Sequence, residues 1–154
     1  TSGSGFYMAI ERGILDPKRF IEFGIQSHCN GDELWSYVKR RGVQVVPWRE
    51  LRGGKAVALF KKHLTRLARK CDAVVISLDL DAFAHCVAPG VSAPQSEGLT
   101  ASEGIEMLEF AGTLPKVRSL GVFELNPEHD EGGKTARLAA TCIAHWVVSR
   151  LESR

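Results

Sequence analysis

The stretch DAVVISLDLD, residues 72–81, decides how this chain folds. From Asp72 to Leu80 it reads as a strand with almost no polar face until its end. Continuous apolar strands are usually buried on both faces, as in parallel sheets covered by helices. This one ends in two carboxylates, Asp79 and Asp81, and a long segment rich in Pro, Gly and Ser follows as far as Leu99-Thr100.

Outward from that strand the pattern alternates. On the N-terminal side lie a short helix over Phe6–Leu15, a strand over Arg19–Ile25 and a helix over Glu33–Arg41 with Leu34, Tyr37 and Val38 on one face. A strand over Val43–Trp48 follows, with Pro47 marking a sheet exit or edge. Ala56–Arg69 then carries apolar residues close to the 3.6-residue period. On the C-terminal side, Thr100 and Glu103 form a capping box that opens a helix running to Leu114. A strand over Val117–Leu125 and a final helix over Lys134–Leu151, with Leu138, Ile143, Trp146 and Val147 as anchors, complete the chain. Strands and helices in alternation predict an α/β protein with a parallel sheet. Sites in such sheets lie beyond the C-terminal strand ends.

The 154 residues suit one domain, and 44% apolar with 25% charged content is that of a globular protein. The net charge of +2 makes no electrostatic case for nucleic acid or an anionic membrane as partner. No apolar run approaches the ~20 residues of a membrane span. Cys29, Cys71, Cys86 and Cys142 form no CxxC pair, which fits reduced thiols in a cytoplasmic setting.

Asp79 and Asp81 stand at i and i+2, a spacing that turns both to one side of a strand. Two carboxylates that close repel unless a cation or protons neutralise them. Oxygen ligands of this kind suit Mn²⁺ or Mg²⁺. The bland alternative is a strand that ends early and leaves both acids in water. The segment Phe83–Leu99 is long for a structureless loop, and Pro89-Gly90, Pro94 and Gly98 argue that it is shaped. Glu124, just before Asn126-Pro127, lies beside the two aspartates if the two strands are neighbours; otherwise it sits on a surface turn.

Ser77-x-Asp79-x-Asp81, then Ala88-Pro89-Gly90, Pro94 and Gly98-Leu99-Thr100, resembles a signature of the ureohydrolases, the arginase/agmatinase/formimidoylglutamase family. Glu124-Leu125-Asn126-Pro127, Asp130 and Thr135-Ala136 resemble the block that follows it. The phrasing Ala88–Pro94 and the opening Ser2-Gly3-Ser4-x-Phe6 are closest to the formimidoylglutamase branch. The resemblance implies a three-layer α/β/α fold with a mostly parallel sheet, incomplete in this chain, with residues 1–154 as the C-terminal portion of one domain. It implies two Mn²⁺ ions per complete site, with Asp79 bridging both and Asp81 binding one. Glu124 faces the amidine or guanidine head of a small-molecule substrate, whose C–N bond a metal-activated hydroxide cleaves. A homo-oligomer is implied as well.

The chain departs from that pattern in three places. It has no D-x-H-x-D block, the expected source of further metal ligands, which should lie before Thr1. Thr1 stands where many relatives carry a histidine, and Ala82-Phe83-Ala84-His85 replaces the usual Asp-Pro. Among the histidines, His129 is the best candidate for substrate contact, with His28 and His85 also near expected strand ends. His63 and His145 read as packing or surface residues, and His28-Cys29 and His85-Cys86 lack the spacing of a zinc site. A non-catalytic ureohydrolase-like subunit or regulator is the alternative reading. A Mg²⁺ phosphotransferase is disfavoured because those enzymes usually carry D-x-D on the first strand.

Overall fold

A computed structural model of the chain describes residues 5–153. The chain forms two compact units, Thr1–Arg52 and Gly53–Arg154. The expected Ser2-Gly3-Ser4 turn lies outside the described residues.

The first unit holds helix α1 (Gly5–Glu11), strand β1 (Ile21–Ile25), helix α2 (Asp32–Arg41), strand β2 (Gln44–Pro47) and the single-turn helix α3 (Trp48–Leu51). Helix α1 is shorter than its apolar pattern suggests, because the chain turns through Gly13 at a φ of 68°. Strand β1 starts late because Asp16 opens a 3-10 turn over Pro17–Arg19, accepting from the Lys18 N–H at 2.9 Å. Helix α2 carries Asp32 and Glu33 in its first turn and Lys39, Arg40 and Arg41 in its last, a charge order that complements the helix dipole. It ends at Gly42, whose left-handed backbone (φ 76°) returns its N–H to the Lys39 and Val38 carbonyls. Strands β1 and β2 pair in parallel, Ile21 opposite Gln44 and Phe23 opposite Val46. Pro47 closes β2 and leads directly into α3, as the sheet-exit reading requires.

The second unit holds helix α4 (Ala56–Ala68), strand β3 (Val74–Asp79), helix α5 (Ala101–Thr113), strand β4 (Val117–Phe123) and helix α6 (Lys134–Glu152). Strands β3 and β4 are parallel, with Ile76 opposite Leu120 and Asp79 opposite Phe123. Leu64 and Ala68 of α4, Val74 of β3, Ala111 of α5 and Val117 of β4 form the core, with Trp146 of α6 packed against it. Helices α5 and α6 approach closely at Gly112, where a Cβ would lie 2.6 Å from the Trp146 carbonyl oxygen. Arg150 ties α6 to the start of β4 through the Leu114 and Val117 carbonyls, at 2.7 and 2.6 Å. The capping box of α5 is complete: Thr100 Oγ1 accepts from the Glu103 N–H and Glu103 accepts from the Thr100 N–H.

The α/β class with parallel strand pairs is as expected. Two details differ. Within residues 5–153, strand β3 is covered on one face: Val74 is buried, whereas Val75 is 70% exposed and Ser77 and Asp79 are open as well. Its core contacts come from one face, so an apolar composition alone did not reveal the pleat. In α6 the buried stripe runs Thr135, Leu138, Ala139 and Cys142, a 3–4 spacing. Ile143 and Val147 fall one step around the helix from it and are exposed.

Candidate functional site

The acidic end of β3 is made by a turn rather than by the strand itself. Asp79 is the last strand residue, and its Oδ1 accepts the Asp81 N–H at 2.8 Å. That bond opens a 3-10 turn over Leu80–Ala82, in which Leu80 is fully buried. Phe83, also fully buried, anchors the exit. The two acids are therefore brought together by a side-chain-capped turn, not by the i, i+2 geometry of a strand.

Register sets the third acid. Asp79 lies opposite Phe123, so Glu124 is the next residue beyond the neighbouring strand end. Its φ of 67° makes it the one non-glycine residue in the left-handed region among those described. That conformation costs an L-residue on the order of 1–2 kcal/mol. It also turns the chain out of β4, and the Glu124 charge is felt by both Asp79 and Asp81.

Electrostatics mark the cluster. The Asp81 carboxyl is raised from 3.8 to about 6, first by desolvation and then by the charges of Asp79 and Glu124, with backbone hydrogen bonding from Ala93 pulling part of the way back. Asp79 counts as exposed by surface area, yet desolvation dominates its upward shift; the bond from Asp81 opposes it and the Glu124 charge adds to it. Asp81 Oδ1 is buried with no hydrogen-bond partner. A buried, unpaired anionic oxygen costs several kcal/mol unless a cation or proton meets it. The donor set is all oxygen, so these residues fit a hard divalent ion. Among the described residues no group of three or more His, Cys, Asp or Glu gathers to hold a metal.

The segment after the turn is shaped, as its Pro and Gly content suggests. Phe83 bridges Leu99 and Ala84 bridges Gln95, with the Leu99 N–H donating to the Ala82 carbonyl at 2.8 Å. Ala88, Val91 and Leu99 are buried. Gly98 lies against the backbone of residues 82–84 and Gly104 against the Phe83 ring: a Cβ would fall 2.4 Å from Ala84 N at the first and 2.4 Å from Phe83 Cε1 at the second. Gly90 is held from both sides, its N–H donating to Thr135 Oγ1 at 2.7 Å and its carbonyl accepting from the Asn126 N–H at 2.8 Å. Asp130 caps the start of α6 by accepting from the Thr135 and Ala136 N–H groups at 2.8 and 2.9 Å. Desolvation raises the Asp130 pKa, but these bonds outweigh it and hold the carboxyl below its usual value. Two residues past Gly90, Ser92 Oγ donates to Glu124 Oε2 at 2.9 Å.

Sequence reasoning singled out Asp79, Asp81 and Glu124; they lie at the ends of adjacent parallel strands, where the Glu124 charge reaches both aspartates. His129 is exposed on the turn after Asn126, its N–H donating to the Asn126 carbonyl. Among the described residues no hydrogen bond or ion pair joins its ring to the three acids. Ser92 was passed over because its partner is 32 positions away and a serine in a polar loop carries no signal of its own. Asp130 and Thr135 were noted as part of a motif without a structural role. A cavity of about 410 Å³ within the first unit, lined by Phe6, Tyr7, Phe20, Trp35 and Tyr37 around Glu22, contains none of the three acids.

The chain belongs to the arginase family, whose model matches residues 1–148. It is 34% identical over 143 residues to a formimidoylglutamase of Geobacillus thermodenitrificans, covering 91% of this chain and 42% of that protein. The crystal structure of formimidoylglutamase from Bacillus subtilis superimposes with a TM-score of 0.94 at 25% identity, over 99% of this chain and 48% of that one. A Trypanosoma cruzi formiminoglutamase solved with Mn²⁺ gives a TM-score of 0.88 at 30% identity, over 96% and 48%. The chain thus spans about half the length of these relatives.

Proposed function

We propose that residues 1–154 are the C-terminal portion of a single ureohydrolase-like domain whose whole hydrolyses the non-peptide C–N bond of a linear amidine or guanidine. The formimidoylglutamase type is favoured, since relatives of that name share 32–34% identity with the chain. The observation that carries this reading is the position of Asp79, Asp81 and Glu124 at the ends of adjacent parallel strands, with a buried oxygen of Asp81 left unpaired. In this reading Asp79 and Asp81 would hold the Mn²⁺ ions of the complete site. Bound Mn²⁺ supplies a nucleophile at neutral pH by lowering the pKa of water. Glu124 binds and orients the cationic amidine head, and its charge offsets that of the substrate as water is excluded. The buried face of the 88–100 segment walls the site. His129, on its exposed turn, is a second substrate contact in this reading. Free cysteines, among the described residues, accord with a cytoplasmic setting. A homo-oligomer belongs to the same proposal.

The test is metal analysis of the full-length protein with an assay that distinguishes urea from formamide. Asp79→Ala and Asp81→Ala are each expected to remove at least one Mn²⁺ and to abolish turnover. Retention of both ions by the Asp79→Ala protein sinks the assignment. A full-length protein that binds no Mn²⁺ points instead to a non-catalytic, ureohydrolase-like subunit.

A further inference from the structure

Glu124 presents a problem that the proposed chemistry does not solve by itself. It is exposed, it feels two like charges in Asp79 and Asp81, and its backbone is held in a left-handed conformation. Side-chain entropy would let a free, exposed glutamate carboxylate swing into water, and in the metal-free chain repulsion from the aspartates adds to that. One hydroxyl opposes that motion. Ser92 Oγ donates to Glu124 Oε2 at 2.9 Å.

The hydroxyl is not on a loose loop. Ala88, Pro89, Gly90 and Val91 are buried in succession, and Ser92 is the first residue after them to emerge. Just before it, the Gly90 peptide groups are fixed on one side by the fully buried Thr135 at the start of α6 and on the other by the Asn126 N–H. A side chain at Gly90 would overlap Asp130, with Cβ to Cβ only 2.5 Å. Gly90 therefore sits where no other residue fits, and the chain leaves it in one direction. Asn126 is itself two residues from Glu124, so one joint fixes both ends of the Ser92–Glu124 bond.

We infer that Ser92 is a positioning residue for Glu124: its hydroxyl holds one carboxylate oxygen in place and leaves the other, Oε1, to accept an N–H of the cationic amidine. This rests on the proposed ureohydrolase function. A carboxylate held by a neutral donor keeps its full charge for the substrate, which a lysine or arginine in place of Ser92 would cancel. Because Glu124 acts on the cationic ground state as much as on the transition state, loss of its positioning appears in KM rather than in kcat.

The experiment uses the full-length protein with its Mn²⁺ and compares Ser92→Ala, Ser92→Thr and Glu124→Ala with the parent. Loss of a hydrogen bond to a charged group predicts a rise of about tenfold in KM for Ser92→Ala, with kcat within about twofold. Mn²⁺ content is expected to be unchanged, and Ser92→Thr, which keeps the hydroxyl, to restore KM. An unchanged KM in Ser92→Ala overturns the inference. So does a Ser92→Thr protein as impaired as Ser92→Ala, or a loss of metal, since either marks a packing role. If Glu124→Ala raises KM and Ser92→Ala does not, only the positioning role fails. If Glu124→Ala leaves KM untouched, the substrate role of Glu124 fails with it.

Discussion

Asp81 holds its proton more tightly in the folded chain than in the unfolded one, with a pKa of about 6 against an ordinary 3.8. A carboxyl raised in this way favours folding while it is protonated. That contribution is whole below the unfolded pKa and fades as pH rises through the folded one. Asp79 shifts in the same direction. The metal-free chain is therefore expected to lose stability from about pH 4 to pH 6, a slope read by denaturant unfolding at several pH values. Asp81→Asn should flatten that slope; an equal slope in the variant would remove Asp81 as its cause. The effect is modest because Asp81 is partly solvated and screened. The position of this acid was legible in the sequence. Its buried and unpaired oxygen was not, because desolvation depends on how the chain folds back around the carboxyl rather than on the D-x-D spacing.

Helix α5 shows how an element is shaped by a single neighbour. Its capping box was readable from Thr100 and Glu103, since both partners lie within one turn. Its first glycine was not. Gly104 is the fourth residue of the helix, its N–H already bonded to the Thr100 carbonyl, where glycine costs up to roughly 1 kcal/mol against alanine. A Cβ there would meet the Phe83 ring at 2.4 Å, and Phe83 is fully buried with no room to retreat. Gly104→Ala is accordingly expected to destabilise the protein by about 1–3 kcal/mol despite the better helix propensity. Urea denaturation provides the measurement, and a stabilised variant would contradict the packing described. Strand β3 failed in the opposite way. Its apolar run gave the strand and its acidic end, but not which face is open, because composition without alternation hides the pleat.

For the chain as a whole, alternation was enough to give the α/β class and parallel pairing. It could not give which strands pair, because pairing between distant strands leaves no mark on local periodicity. The joint between the units is marked by Gly53 and Gly54, both at a φ of 74° and both exposed, as are Arg52 and Lys55. Brief digestion of the native chain with trypsin is expected to cut first after Arg52 or Lys55, leaving fragments near residues 1–52 and 56–154, identified by mass spectrometry. First cleavage inside α4 or α6 would show that the joint is better protected than its exposure indicates.

The Gly90 amide reaches a side-chain hydroxyl 45 positions away instead of a neighbouring strand. Such a bond cannot exist until the beginning of α6 has docked, so this corner is completed late in folding, after the local turns and helices on either side of it. It can also open without melting the sheet, since no ladder depends on it. The exchange of that one amide proton with solvent deuterium is thus a gauge of whether the site is assembled. It reports on the joint behind Ser92 and Glu124 while the rest of the chain stays folded.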